Sequence, residues 1–326
     1  MTGASAGVGR ATAIALAVEG YDVALLARGR AGLEAAAADV EKAGGKPLAL
    51  STDVASFDEV DAAASRVEEQ LGPIDLWVNN AMTTVFSFVP EMEPREFKRA
   101  TEVTYLGQVW GTMVALERMR PRDRGRIVNV GSALAFVGIP LQAAYCGAKF
   151  ACRGFSESVR AELLAESSGV SLSVVHLPAL NTPQFGWCLN KLPRRPQPVP
   201  PIYQPEVAAV AIVEAARHGR RSTLLGSWTR VVITGSKLMP SVLAHYLART
   251  GISGQQTDQP AEPGEAPDLF APADNKRDHG AHGPFGHRAN GIVDADFLAS
   301  MPRTLRDLAA AAQAAAREKL APLRRR

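Results

Sequence analysis

Tyr145 and Lys149 stand one helical turn apart in a segment that reads as helix. Ser132 lies upstream, at the end of a run (Ile127 to Ser132, IVNVGS) that reads as a buried strand. Side chains at i and i+4 of a helix project from the same face, so a phenol and an ammonium become neighbours. With a strand-end hydroxyl beside them, the three groups could protonate a carbonyl oxygen or take the proton of an alcohol. A free tyrosine has a pKa of about 10 and needs help near neutral pH. A close ammonium favours the phenolate, and a drop of about three units takes roughly 4 kcal/mol of differential interaction. The YxxxK spacing alone is common on surface helices, so its weight depends on what must hold it in place.

The start of the chain supplies an independent signal. Thr2 to Gly9 reads TGASAGVG, and the stretch that follows, Arg10 to Glu19, is alanine-rich and helix-forming. Glycines ahead of a helix let backbone N–H groups approach a pyrophosphate at the positive end of the helix dipole. The spacing is GxxxGxG, not GxGxxG. Further on, apolar runs at Tyr21–Ala27, Pro47–Thr52 and Ile74–Asn79 alternate with helical stretches at 10–18, 30–43 and 56–70. This alternation predicts an α/β fold with a doubly wound parallel sheet and helices on both faces. Long helices are expected over Pro94–Glu117 and Tyr145–Glu166, a strand over Ser171–Leu177, a helix over Gln204–Arg217, and a last strand at Ser222–Leu225.

Taken in order, these motifs resemble the short-chain dehydrogenase/reductase family over residues 1 to 230, with a Rossmann-like fold. TGASAGVG, carrying Thr2, Gly3, Ser5, Gly7, Val8 and Gly9, matches that family's cofactor loop. Asp53 and Val54 fall where the family contacts adenine. Asn79, Asn80 and Ala81 match its NNA turn, and Ser132, Tyr145 and Lys149 match its catalytic triad. The resemblance implies an NAD(P)-dependent alcohol/carbonyl oxidoreductase. In it Tyr145 exchanges the proton, Lys149 lowers its pKa and holds the nicotinamide ribose, and Ser132 orients the carbonyl oxygen. Four departures accompany it. Thr104 replaces the asparagine that shapes a proton relay, and Met82 replaces the glycine of NNAG. Pro178 to Thr182 (PALNT) is one residue shorter than the usual PGxxxT and lacks its glycine. Finally, family members have a strand of about five apolar residues before TG. Here Met1 stands at the place of its last residue, so the first central strand is expected to be missing or truncated, either because the recorded start lies downstream of the true one or because the strand is truly lost. VVITGS (231–236) superficially resembles a strand entering such a loop but lacks the later glycines.

In an NAD enzyme of this fold a carboxylate at the end of the second strand binds the ribose 2′-hydroxyl. Here that strand ends Leu26, Ala27, Arg28, and a guanidinium pairs with a phosphate, which favours NADP with NAD possible. Phe86, Phe88, Leu134, Phe136, Val137, Leu180, Phe185 and Trp187 follow strand ends or fall in the expected lid. They suggest a hydrophobic carbonyl or alcohol substrate. The rival reading is a non-catalytic dinucleotide-binding sensor.

At 326 residues and 46% hydrophobic, the chain can bury one large core, and a formal net charge of +3 gives no case for nucleic acid. Its 3 cysteines, Cys146, Cys152 and Cys188, fit reduced cytosolic thiols. No apolar run is long enough to span a bilayer, so a cytoplasmic protein is expected, with the family's habit of forming dimers or tetramers through its long helices. From 231 a C-terminal extension is expected: a helix over Gly235–Arg249, a loop or disordered stretch over Gly251–Asn290, and a terminal helix over Ala295–Leu320. His279, His282 and His287 lie in the Gly/Pro-rich stretch without a ligand spacing, and no metal is expected.

Overall fold

The computed structural model describes residues 1–261 and 267–290. Its main sheet is wholly parallel. The strands Ser222–Leu224, Val170–Leu177, Gly125–Ser132 and Leu76–Asn79 pair in that order, and Val23–Ala27 pairs with Pro47–Ser51. These strands are rich in Val, Ile and Leu without polar alternation, because both faces are covered. One core lies under the helices Gly7–Val18, Arg30–Lys42 and Pro205–His218. The other lies under Phe57–Leu71, Gly107–Met119 and Ala143–Ala165. The alanines of the first helix let it sit close to Pro205–His218. Helix starts are set by caps where the sequence supplies them: the Ser56 hydroxyl accepts from the Glu59 N–H, and Glu93 and Glu96 form a reciprocal box at Pro94.

Among the described residues, the start of the chain, Met1 to Ala4, lies between the two halves of the sheet and bonds to both. The Leu26 N–H donates to Met1 O (2.9 Å), the Gly3 N–H to Leu26 O (2.7 Å), and the Thr2 N–H to Val78 O (3.0 Å). Thr2 pairs with Leu26 through a single isolated parallel bridge. The Met1 amino group is drawn into the interior, where it donates to Ala24 O at 2.9 Å. Burial lowers its pKa from 8.0 to about 5. VVITGS does not enter the sheet; it lies within the helix Ser227–Leu238.

The long helix expected over Pro94–Glu117 is interrupted. Pro94–Thr101 passes through a π-helical turn, Glu102–Leu106, before Gly107–Met119. Past residue 226 the helical expectation resolves into two helices, Ser227–Leu238 and Pro240–Gly254, broken where Pro240 lacks an N–H. The described residues that follow, 255–261 and 267–290, are irregular but anchored. Gln256–Pro260 pairs antiparallel with Arg194–Pro196, Leu269 is fully buried, and Phe285 packs edge-on against Phe185. The terminal helix expected over Ala295–Leu320 lies outside the described residues.

Candidate active site

Ser132, Tyr145 and Lys149 meet at the carboxyl end of the sheet. Ser132 ends its strand, and its Oγ accepts from the Leu134 N–H at 3.1 Å, which fixes the hydroxyl at the mouth of the cleft. Tyr145 lies in the first turn of Ala143–Ala165 and faces the same cavity as Ser132. Lys149, one turn on, is buried. Its Nζ donates to Val130 O at 2.7 Å and stands 5.7 Å from the Tyr145 ring centroid.

The electrostatics differ from the sequence expectation. Burial pushes the Tyr145 phenol well above its ordinary range, with the Ser132 hydrogen bond acting against that rise. Burial also lowers the pKa of Lys149. Desolvation disfavours the charged form of both groups and is the largest cause of each shift. The phenol therefore holds its proton.

All three groups face a cavity of about 800 Å³, which also exposes Gly3, Ser5, Gly7, Val8, Asn80, Ala81, Pro178 and Thr182. Arg28, Asp53 and Val54 line an adjoining cavity of about 90 Å³, which shares Gly3, Ser5 and Ala81 with the larger one. The remaining candidates stand behind the walls. Thr2 stitches the loop to the sheet, its Oγ1 accepting from the N–H groups of Asn80 (2.9 Å) and Ala81 (3.1 Å). Gly9 lines neither cavity; a Cβ there would collide with Gly3 O, so its role is close packing of helix on loop. Thr104 sits in the π-helical turn and turns its hydroxyl to Thr83, donating to the carbonyl (2.8 Å) and accepting from the N–H (3.0 Å).

Gly3 and Gly7 take positive φ values of 63° and 56°, as a loop folding under a phosphate requires. The helix they open has no side-chain cap and no acid in its first turn, as suits an anion at its positive end, although the Gly7 N–H donates to Gly280 O at 3.1 Å. These features fit a nicotinamide dinucleotide whose pyrophosphate rests on that loop.

Leu134, Val137, Leu180, Phe185 and Trp187 line the large cavity as expected. Phe86 is instead core, Phe88 is 43% exposed, and Phe136 stacks edge-on against His176. Sequence reasoning missed the far wall. Val231, Val232, Leu243, Tyr246 and Leu247, from the two helices after residue 226, and Met239 between them complete the cavity. Their signal was present as an apolar stripe at helical spacing, but nothing local says that it faces the strand ends. His176 was also missed. It is buried beside the Ser132 backbone with Nδ1 lacking a partner, and burial lowers its pKa from 6.5 to about 4. Among the described residues no cluster of three or more His, Cys, Asp and Glu side chains could hold a metal, and no helix is long and apolar enough to cross a membrane.

A doubly wound parallel sheet with a glycine loop at its first crossover and a Ser–Tyr–Lys cluster at its strand ends defines a dinucleotide-binding oxidoreductase fold. Residues 1–187 match the family model for short chain dehydrogenase. The chain is 29% identical over 284 residues to the "Uncharacterized oxidoreductase YxnA" of Bacillus subtilis, covering 86% of this chain and 80% of that protein. It is 31% identical to the 3-dehydrosphinganine reductase of Danio rerio over 69% of this chain and 70% of that one. Among solved structures, an alcohol dehydrogenase from the archaeon Thermococcus sibiricus, complexed with 5-hydroxy-NADP, superposes with a TM-score of 0.59 at 26% identity, over 69% of this chain and 93% of that one. The chain belongs to the short-chain dehydrogenase family and is an oxidoreductase acting on CH–OH groups.

Proposed function

We propose that the protein interconverts a hydrophobic ketone or aldehyde and its alcohol, with NADP as the preferred nucleotide. The observation that carries this reading is the convergence of Ser132, Tyr145 and Lys149 on a largely apolar cavity that the glycine loop also lines. When bound, a nicotinamide supplies or takes the hydride at the substrate carbon. The chain's part is the proton and the geometry. In reduction Tyr145 gives its proton to the carbonyl oxygen as negative charge builds there, and in oxidation the phenolate takes it back. Ser132 donates to the same oxygen and stabilises that charge. Lys149, held against Val130 O, keeps an ammonium beside the phenol and offers donors to the nicotinamide ribose.

Substrate class follows from the walls. Tyr246, Met239 and Val242 are each more than half exposed and border the cavity, an apolar lining with few groups able to bind a sugar or an acid. Reduction assayed with NADPH over a panel of ketones and aldehydes of increasing apolar size should show KM falling along the series. Dinucleotide binding with no turnover on any member would instead mark a binding protein.

Preference for NADP rests on Arg28, at the end of a strand that carries no acid. Arg28→Asp should weaken NADP relative to NAD by about tenfold or more, one to several kcal/mol of charge-assisted bonding. Equal affinities before and after the change, by equilibrium titration, would remove Arg28 from this role. Three free cysteines and the apolar exposure of Phe97, Met113 and Phe150 on the long helices accord with a cytoplasmic homo-oligomer.

A further inference from the structure

The residues 267–290 run along the adenosine end of the cleft and place their own carboxylates on its cationic groups. The Arg28 guanidinium donates to the Asp268 carbonyl and stands 3.5 Å from its carboxylate, and its other arm reaches Leu269 O at 3.4 Å. Thr83 Oγ1 donates to Asp268 Oδ1 at 3.1 Å, and the Asp268 N–H is held by Trp187 O at 2.9 Å. Further along, the segment caps the helix Arg30–Lys42. The Gly32 N–H donates to Asp274 O (3.0 Å), the Ala31 N–H to Asn275 O (3.4 Å), and the Arg30 N–H to Asn275 Oδ1 (3.3 Å).

Asp274 is the telling side chain. It is only 7% exposed, and its Oδ2 has no hydrogen-bond partner. Its carboxylate is wedged between Gly29, Gly32 and Ser5, where a Cβ on either glycine would collide with it. Together with Asp268 it lines the small cavity that also holds Ser5, Arg28 and Asp53. A guanidinium and the open end of a helix are what a phosphate monoester seeks. Here both are met by a carboxylate-bearing segment of the same chain. A buried carboxylate oxygen without a donor is a poor permanent cap, and its like charge opposes any phosphate that enters.

We propose that Asp268 and Asp274 are specificity-determining residues: they occupy the anion subsite formed by Arg28 and the amino end of Arg30–Lys42, and compete there with the phosphate on the adenosine ribose. This rests on the reading of Arg28 as the phosphate ligand. A nucleotide bearing that phosphate must displace both carboxylates, whereas one without it is not opposed by them. The arrangement holds NADP affinity below what Arg28 alone would give and narrows the gap to NAD.

The test uses the full-length chain and adenosine fragments, so that turnover is not needed. Titration calorimetry compares adenosine 2′,5′-bisphosphate with AMP in the wild type and in the Asp268→Asn, Asp274→Asn double variant. The double variant should bind the bisphosphate about tenfold or more tighter, with AMP changing by less than about threefold. In the wild type, the bisphosphate should raise amide exchange at Asp268, whose N–H the Trp187 carbonyl holds. Unchanged bisphosphate affinity overturns the proposal, and so does an equal gain for AMP, which would make the segment a general lid. Arg28→Ala in the same background separates the two readings. If it costs bisphosphate affinity while the aspartates do not matter, only this inference falls. If Arg28 is without effect in every background, the NADP reading falls with it.

Discussion

Tyr145→Phe is expected to lower turnover by about 10³-fold, within the 10²–10⁴ that a positioned acid or base contributes. Dinucleotide affinity should stay within about twofold, because the ring and its packing remain. The size of the effect follows from the site's inventory. Lys149 has one Nζ donor on Val130 O and Ser132 Oγ accepts from the Leu134 N–H, which leaves both able to donate hydrogen bonds while the phenol is the group proposed to give up its proton. Since burial keeps that phenol protonated above its ordinary range, reduction should show little pH dependence through neutrality. Oxidation, which needs the phenolate, should climb with pH over the same range. Steady-state rates in both directions, with fluorescence titration of the dinucleotide, measure this. A Phe variant within tenfold of the wild-type rate would mean that the proton comes from elsewhere.

This pH asymmetry shows where the sequence was informative and where it was not. Spacing alone put Tyr145 and Lys149 on one helical face, and the glycines of TGASAGVG marked the loop before its helix. Both are local facts, carried by residues a few positions apart. Whether the ammonium acidifies the phenol depends on how much water reaches the pair, and the cavity they face is lined by residues such as Leu134, Leu180 and Leu243 from distant parts of the chain. The same limit hid the segment 267–290. Its Gly, Pro and Asp content reads as loose chain, yet one buried leucine, Leu269, and the Asn181 side chain accepting from the Phe285 N–H (2.9 Å) hold it against the body. Composition registers the scarcity of apolar residues, not the fit of the few that are present. Thr104 shows the reverse case. Its position in the motif was legible, but the π-helical turn that aims its hydroxyl at Thr83 was not.

Acid should destabilise the protein through His176. Its pKa falls from 6.5 when exposed to about 4 in the fold, where it is buried against Phe136 and the Ser132 backbone. Between those values the unfolded chain binds more protons, so stability rises with pH across that window. It is lost as pH falls through it, by roughly 3 kcal/mol at about 1.36 kcal/mol per unit. Urea melts across that window should show this slope, and His176→Phe should flatten it. An unchanged slope in the variant would refute the assignment. The link to function is direct, because His176 lies against the strand end that presents Ser132, and protonating it loosens a support of the site.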